Sequence, residues 1–144
     1  MVDIRPMTPE DIPAALRVWQ GCDGVVLRDA DSPAALTRFL ARNPGTSFVG
    51  VGGGEVVGVS LAGHDGRRGY LHHVAVAAAW RRRGVGRGLV EHCLAALREE
   101  GIEKVQLFVA AGNTTGAEFW KRMGWRERPD VYLMSLILGD SPNA

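Results

Sequence analysis

The strongest periodic signal lies in the middle of the chain, where Val85, Leu89, Val90, Cys93, Leu94 and Leu97 recur at three- and four-residue steps. That period predicts an amphipathic helix, and Gly101 ends it. Two earlier helices announce themselves by their starts. Thr8-Pro9-Glu10-Asp11 offers a capping threonine, a proline at the first helical position and acids in the first turn, predicting a helix to about Gln20. Asp31-Ser32-Pro33 is a second start of this kind, with Leu36, Phe39 and Leu40 as its apolar stripe and Asn43-Pro44-Gly45 as its stop. A fourth, short helix is expected over 113–122, stopped at Gly124.

The β-type runs fall between these helices. Residues 2–5 form a short strand candidate. Residues 47–51 and 56–62 flank Gly52-Gly53-Gly54-Glu55, a hairpin signal. A turn from His64 to Gly69 leads to a strand over 70–76, so three strands are expected to form a meander. Residues 104–109 read as a nearly continuous apolar strand buried on both faces. Residues 125–128 and 131–138 read as a last strand pair around Pro129-Asp130. The sum is an α+β domain of about seven strands and about four helices, with no internal repeat or linker.

Composition narrows the class. The 144 residues are 46% hydrophobic and 23% charged, with a formal net charge of +1. Such a chain suits one domain over 1–144 with an ordered core of about 2–138. Its bulk charge argues against a nucleic-acid or membrane-surface role. Cys22 and Cys93 are too few for a disulfide scaffold and lack metal-ligand spacing, so no metal is expected. Met1-Val2-Asp3-Ile4-Arg5-Pro6 has no apolar signal core, and no run approaches the ~20 apolar residues of a membrane span. A reducing cytoplasm is the expected location.

The chemistry concentrates at the start of the long helix. After a Val74-Ala75-Val76 strand end and Ala77-Ala78-Ala79-Trp80 comes Arg81-Arg82-Arg83-Gly84-Val85-Gly86-Arg87-Gly88. A helix N-terminus leaves backbone N–H groups unpaired and carries roughly half a positive charge. Glycines let the backbone approach a bulky anion, and four arginines add charge, a combination suited to a pyrophosphate. The Gly-Lys-Ser/Thr end of a Walker loop is absent, and the strand at 104–109 ends without the acid of a dinucleotide fingerprint. A solvated basic turn or a nucleic-acid patch would use similar composition, but no aromatic-rich face supports the latter.

Arg81-x-x-Gly84-x-Gly86 after a Val-Ala-Val strand resembles the acetyl-CoA signature of the GNAT N-acetyltransferase superfamily. Asn113, followed by Phe119-Trp120-Lys121-Arg122-Met123-Gly124-Trp125, is similar to that family's second landmark. The resemblance spans nearly the whole chain. It implies a mixed, mostly antiparallel twisted sheet whose central strands splay apart. It also implies that backbone groups of Val74, Ala75 and Val76 pair with the pantetheine arm of acetyl-CoA, that N–H groups from Arg82 to Gly88 hold the pyrophosphate, and that Asn113 touches the cofactor. The cosubstrate would be acetyl-CoA, and the acceptor an amine-bearing small molecule or a peptide N-terminus. Dimers are common in the superfamily, and 131–138 as an apolar edge strand would suit a homodimer.

Two positions depart from the family pattern. Many members place an acidic tyrosine where this chain has Trp120, and a glutamate base on the strand that here reads Val105-Gln106-Leu107-Phe108-Val109. An indole donates a hydrogen bond but gives up no proton. Period-two alternation puts Tyr70, His72, Val74 and Val76 on one face of their strand and Leu71, His73 and Ala75 on the other. A histidine titrates near neutrality, and arylalkylamine N-acetyltransferases of this superfamily use histidines on this strand. His72 is therefore the expected base, with Tyr70 as a relay and His73 as the second choice. The expectation is an N-acetyltransferase working by direct attack in a ternary complex. A non-catalytic CoA-binding regulatory domain is the alternative, because acid and base positions are both altered. Cys93 is expected in the core, and Cys22 and Asp23 in a loop beside the acceptor.

Overall fold

A computed structural model describes residues 1–144. The chain forms two compact units, Met1–Leu107 and Phe108–Ala144. The first contains β1 (Asp3–Pro6), α1 (Ile12–Gln20), α2 (Pro33–Arg42), β2 (Phe48–Gly52), β3 (Glu55–His64), β4 (Gly69–Val76), α3 (Val85–Glu99) and β5 (Val105–Gln106). The second contains α4 (Thr114–Arg122). The architecture is α+β, with the sheet ordered β1-β2-β3-β4-β5, antiparallel from β1 to β4 and parallel between β4 and β5. No helix is long and apolar enough to cross a membrane.

The helix starts follow from the residues that announced them. Pro9–Asp11 forms a single 3-10 turn before α1. Asp11 Oδ2 accepts from the Thr8 N–H at 2.9 Å, and Arg5 donates to both carboxylate oxygens at 2.8 Å. This bidentate pair ties β1 to the start of α1. The Arg5 hydrogen bonds hold the Asp11 carboxyl below its usual pKa, against the opposing effect of burial. Another 3-10 turn, Asp29–Asp31, precedes α2. Ser32 caps that helix by accepting from the Ala35 N–H at 3.2 Å.

The two faces of the sheet are covered differently. On one, Ile12, Val18 and Trp19 of α1 and Leu36 of α2 bury against Val49 and Val59. Each such side chain contributes about 1.5–3 kcal/mol by leaving water. On the other, α3 lies close to the strands because β3 presents Gly58. A Cβ there would meet Leu89 Cδ1 at 2.9 Å and Val85 Cγ1 at 3.0 Å. Cys93, fully buried on the same helix, donates to Ser60 Oγ at 3.4 Å, and burial pushes its thiol up to about 11. It is a core residue, as its place on the apolar stripe implied.

Strands are fewer than the sequence pattern suggested, five where about seven were expected. The run over 104–109 yields only Val105–Gln106, both half-buried, and Phe108 is 60% exposed. Residues 125–128 and 131–138 form no strand. β-propensity describes a side chain's fit to a pleated surface, but a strand exists only where a neighbour supplies a hydrogen-bond ladder. Without a strand at 131–138, the edge-strand argument for a dimer has nothing to rest on.

The glycine floor beneath α3 gives a direct test. Gly58→Ala should lower unfolding stability by about 1–3 kcal/mol through overpacking against Leu89 and Val85. An unchanged urea midpoint would show that α3 moves aside without cost.

Candidate active site

β4 is the strand around which the candidate site is built. Its partners on one side are continuous with β3 except at one point: Val59 lies opposite Ala75, and Leu61 opposite His72. Two steps along β3 thus match three along β4, so β4 carries one extra residue, a β-bulge. His73 absorbs it with φ of 52°, the left-handed region that side chains rarely adopt. On its other side β4 meets β5 only at Gly69↔Val105 and Tyr70↔Gln106. Beyond Tyr70 this pairing stops, because β5 ends at Gln106.

The direction of the exposed backbone follows from register. The Ala77 N–H donates to Val57 O at 2.8 Å, so Ala77 and Ala75 direct their backbone groups at β3. Val76, opposite Gly58 in the intervening pair, directs its groups to the side β5 has left. Its carbonyl accepts there from Arg81 Nε at 2.9 Å. Arg81 Nη2 also donates to Cys22 Sγ at 3.3 Å, and the Cys22 thiol approaches Val76 O at 3.7 Å. The segment after α1 is thereby fastened to the end of β4.

The bulge changes which side chains share a face. Simple alternation separates His72 from His73, yet both lie on the α1/α2 side. The His72 ring is edge-on to Phe39 of α2, with centroids 6.1 Å apart, and stacks beside Tyr70 at 6.3 Å. The His73 ring packs edge-on to Trp19 of α1 at 5.3 Å. His73 Nε2 lies 2.9 Å from Asp31 Oδ1, and its carbonyl accepts from Trp19 Nε1 at 2.7 Å. Desolvation, then the neighbouring His73 charge, lowers the His72 pKa below 6.5, with Asp31 pulling the other way. His72 is therefore mainly neutral at pH 7. Burial would raise the Asp31 carboxyl, but hydrogen bonds from His73 and the Arg28 N–H, with the charges of both histidines, hold it below its ordinary value.

The signature segment forms the turn between β4 and α3. Ala78–Trp80 is a 3-10 turn, Arg82 takes φ of 62°, and Gly84 caps α3 with φ of 80°. No side chain caps this helix. The first intrahelical bond is Gly88 N–H to Gly84 O at 3.0 Å. The N–H groups of Val85, Gly86 and Arg87 are the helix's orphan donors. Gly88 serves packing: a Cβ there would meet Ile4 Cδ1 at 2.7 Å. The arginines divide their work. Arg81 turns back to Val76 and Cys22, Arg83 lies over the Trp80 ring at 5.1 Å, and Arg87 faces Glu91 at 3.8 Å. The exposed cluster keeps positive charge around the orphan N–H groups, which is anion-binding chemistry.

The second unit carries the other landmark. Asn113 Oδ1 accepts from the Gly116 N–H at 2.9 Å and caps α4. Trp120 packs edge-on against Phe119 at 5.0 Å and Trp125 at 5.3 Å. Gly124 closes the helix with φ of 94°.

The family model of the acetyltransferase (GNAT) family matches residues 12–125. The chain belongs to that family. An acetyltransferase of Sodalis glossinidius (strain morsitans) is 27% identical over 134 residues, 92% of this chain and 93% of the relative. Ard1 from Thermoplasma volcanium superposes with a TM-score of 0.75 at 26% identity, covering 85% of this chain and 81% of that one. The PaiA N-acetyltransferase from Thermoplasma acidophilum, solved with coenzyme A, shares the fold at a TM-score of 0.74 and 15% identity, over 85% and 88% of the two chains.

Sequence reasoning passed over two residues beside the histidines. Asp31 reads as part of a helix start, and Phe39 as core. Only the tertiary fold joins them to β4, and no spacing in the chain signals it.

Left-handed backbone at the α3 turn is testable on stability alone. Gly84→Ala should cost about 1–2 kcal/mol, the penalty for a Cβ in that region. Arg82→Gly, at a position of the same hand, should show no loss. Urea unfolding of both variants reads the difference, and equal behaviour would mean the turn relaxes out of this conformation.

Proposed function

We propose that this chain, as one acetyltransferase domain over 1–144, moves an acetyl group from acetyl-CoA to a primary amine by direct attack in a ternary complex. The observation that carries this reading is the end of the β4–β5 pairing at Tyr70, on the strand that leads into an uncapped helix N-terminus rich in arginine. An amide-bearing arm fits the edge of β4 at Val74–Val76, as an added strand would. A pyrophosphate fits the N–H groups at Val85, Gly86 and Arg87, with positive charge from Arg81, Arg82, Arg83 and Arg87. In this reading Gly84 and Gly88 shape the turn and seat α3.

The chemistry asks the protein for a base and an oxyanion partner. An alkylammonium with pKa of about 10.4 costs roughly 4–5 kcal/mol to present neutral at pH 7. His72, neutral in its half-buried place, accepts that proton, and Tyr70 beside it relays it toward solvent. As the amine nitrogen bonds to the thioester carbon, negative charge on the carbonyl oxygen is met by outward N–H groups of β4. The carbon–sulfur bond then breaks. A thiol with reference pKa of about 8.5 leaves without strong acid assistance, which accommodates Trp120 at the position where the family pattern has a tyrosine in many members.

The CoA-binding regulatory alternative draws on the same Trp120 and on the missing acid in β5, and two measurements separate the readings. Acetyl-CoA and CoA should each raise the melting temperature by about 5–10 °C at 100-fold over Kd, with ATP giving much less. No shift at millimolar cofactor would remove the basis of both. Turnover then decides between them. Probe amines are sisomicin and an alanine-initiated peptide, chosen because structures sharing this fold include an aminoglycoside acetyltransferase complexed with sisomicin and the ribosomal-protein-S18-alanine N-acetyltransferase of Escherichia coli.

His72→Gln should lower kcat about 100-fold or more while leaving the CoA-induced melting shift intact. The sign of the pH dependence follows from the lowered His72 pKa: the base works deprotonated, so kcat/KM should fall on the acid side with a midpoint below 6.5. An acid limb unchanged in His72→Gln would exclude His72 as the base.

A further inference from the structure

His73 is held more firmly than its place on an open strand edge requires. Its backbone sits in the left-handed region that side chains rarely adopt, and three contacts from two elements maintain it. Trp19, with no exposed surface, donates to its carbonyl and packs on its ring. Asp31, 9% exposed, meets its Nε2. The other Asp31 oxygen accepts from the Arg28 N–H at 2.9 Å, so the carboxylate is itself fixed within the turn before α2.

Trp19 ends the buried stripe of α1, and Asp31 closes the 3-10 turn before α2. The chain between them therefore leaves β4 and returns to it at the same residue. Within this segment Cys22, Val25 and Leu27 pack on the core, while Asp23, Gly24 and Val26 stay exposed. It runs on the α1/α2 side of the sheet, the side on which His72 lies.

We propose that Asp31 and His73 are a positioning pair for the acceptor amine, pinning the segment between α1 and α2 to the β4 bulge so that it walls the space beside His72. The pair touches neither the thioester nor the transferred proton. It acts through the segment it holds and through the bulge that brings His72 and His73 to one face. The inference rests on the acetyl-transfer reading only for what the wall contacts.

Two full-length variants test it. His73→Gly removes the imidazole yet accepts the left-handed backbone without penalty. Asp31→Asn keeps an acceptor oxygen for the Arg28 N–H but removes the charge. In both, amide hydrogen exchange over residues 22–28 should quicken at least tenfold while the melting temperature stays within a few degrees. With sisomicin or the alanine-initiated peptide as acceptor, the amine KM should rise at least tenfold and the acetyl-CoA KM stay within twofold. Unchanged exchange in either variant overturns the pair, as does a loss confined to kcat. If the wild-type protein acetylates neither probe, that counts against the acetyl-transfer reading alone, and the exchange measurement still decides the pair.

Discussion

A strand inside a sheet satisfies its backbone on both edges only while both neighbours keep pace with it. β4 has such neighbours at Gly69 and Tyr70 and then loses one of them. From there its inner edge stays bonded to β3, while the outer edge presents unpaired peptide groups inside a folded protein. Unpaired backbone of this kind must find water, a side chain or a ligand. Arg81 reaches back to Val76 O as one protein-supplied answer. The rest of the site follows from this one-sided strand: it continues directly into the turn that starts α3, so the open edge and the positive helix end lie next to each other by chain connectivity.

That proximity depends on small residues as much as on charged ones. Gly58 under Leu89 and Val85, and Gly88 over Ile4, let α3 settle onto the sheet. A helix seated this way has a fixed N-terminus, and fixed donors stabilise an anion without the cost of being oriented first. Glycine in the signature therefore has two separate physical uses. Gly84 supplies a backbone conformation, and Gly88 supplies room.

How much of this the sequence disclosed depends on the range of the interaction. Local features were legible. Thr8-Pro9 and Ser32-Pro33 marked helix starts, the stripe from Val85 to Leu97 marked α3, and the triple glycine marked the β2–β3 hairpin. The turn that starts α3 was legible too, because arginines, glycines and a helix start are contiguous in the chain. Features that depend on a partner strand were not. The apolar runs at 104–109 and 131–138 have strand composition, and composition cannot say whether a neighbour will pair with them. The bulge is the sharper case. Nothing in Tyr70-Leu71-His72-His73-Val74 shows that β3 will use two residues where β4 uses three. Alternation therefore assigned the two histidines to opposite faces, and Asp31, 42 residues away from His73, read only as part of a cap.

Bringing two histidines to one face raises the question of which can take a proton from substrate. Their environments answer it differently. A positive charge on His73 is met by Asp31 Oδ1 at 2.9 Å. The same charge works against protonating His72, which has an aromatic neighbour in Phe39 and no carboxylate of its own within hydrogen-bonding contact. Of the two adjacent imidazoles, His73 is the one hydrogen-bonded to Asp31 and tied to Trp19, and His72 is the one whose pKa burial lowers. A carboxylate base on β5 would reach the same chemistry by a different route, because burial raises a carboxylate's pKa and so makes it a stronger base. In the acetyl-transfer reading proposed above, the aromatic cover over His72 would serve the chemistry as well as the packing, because burial keeps the imidazole neutral.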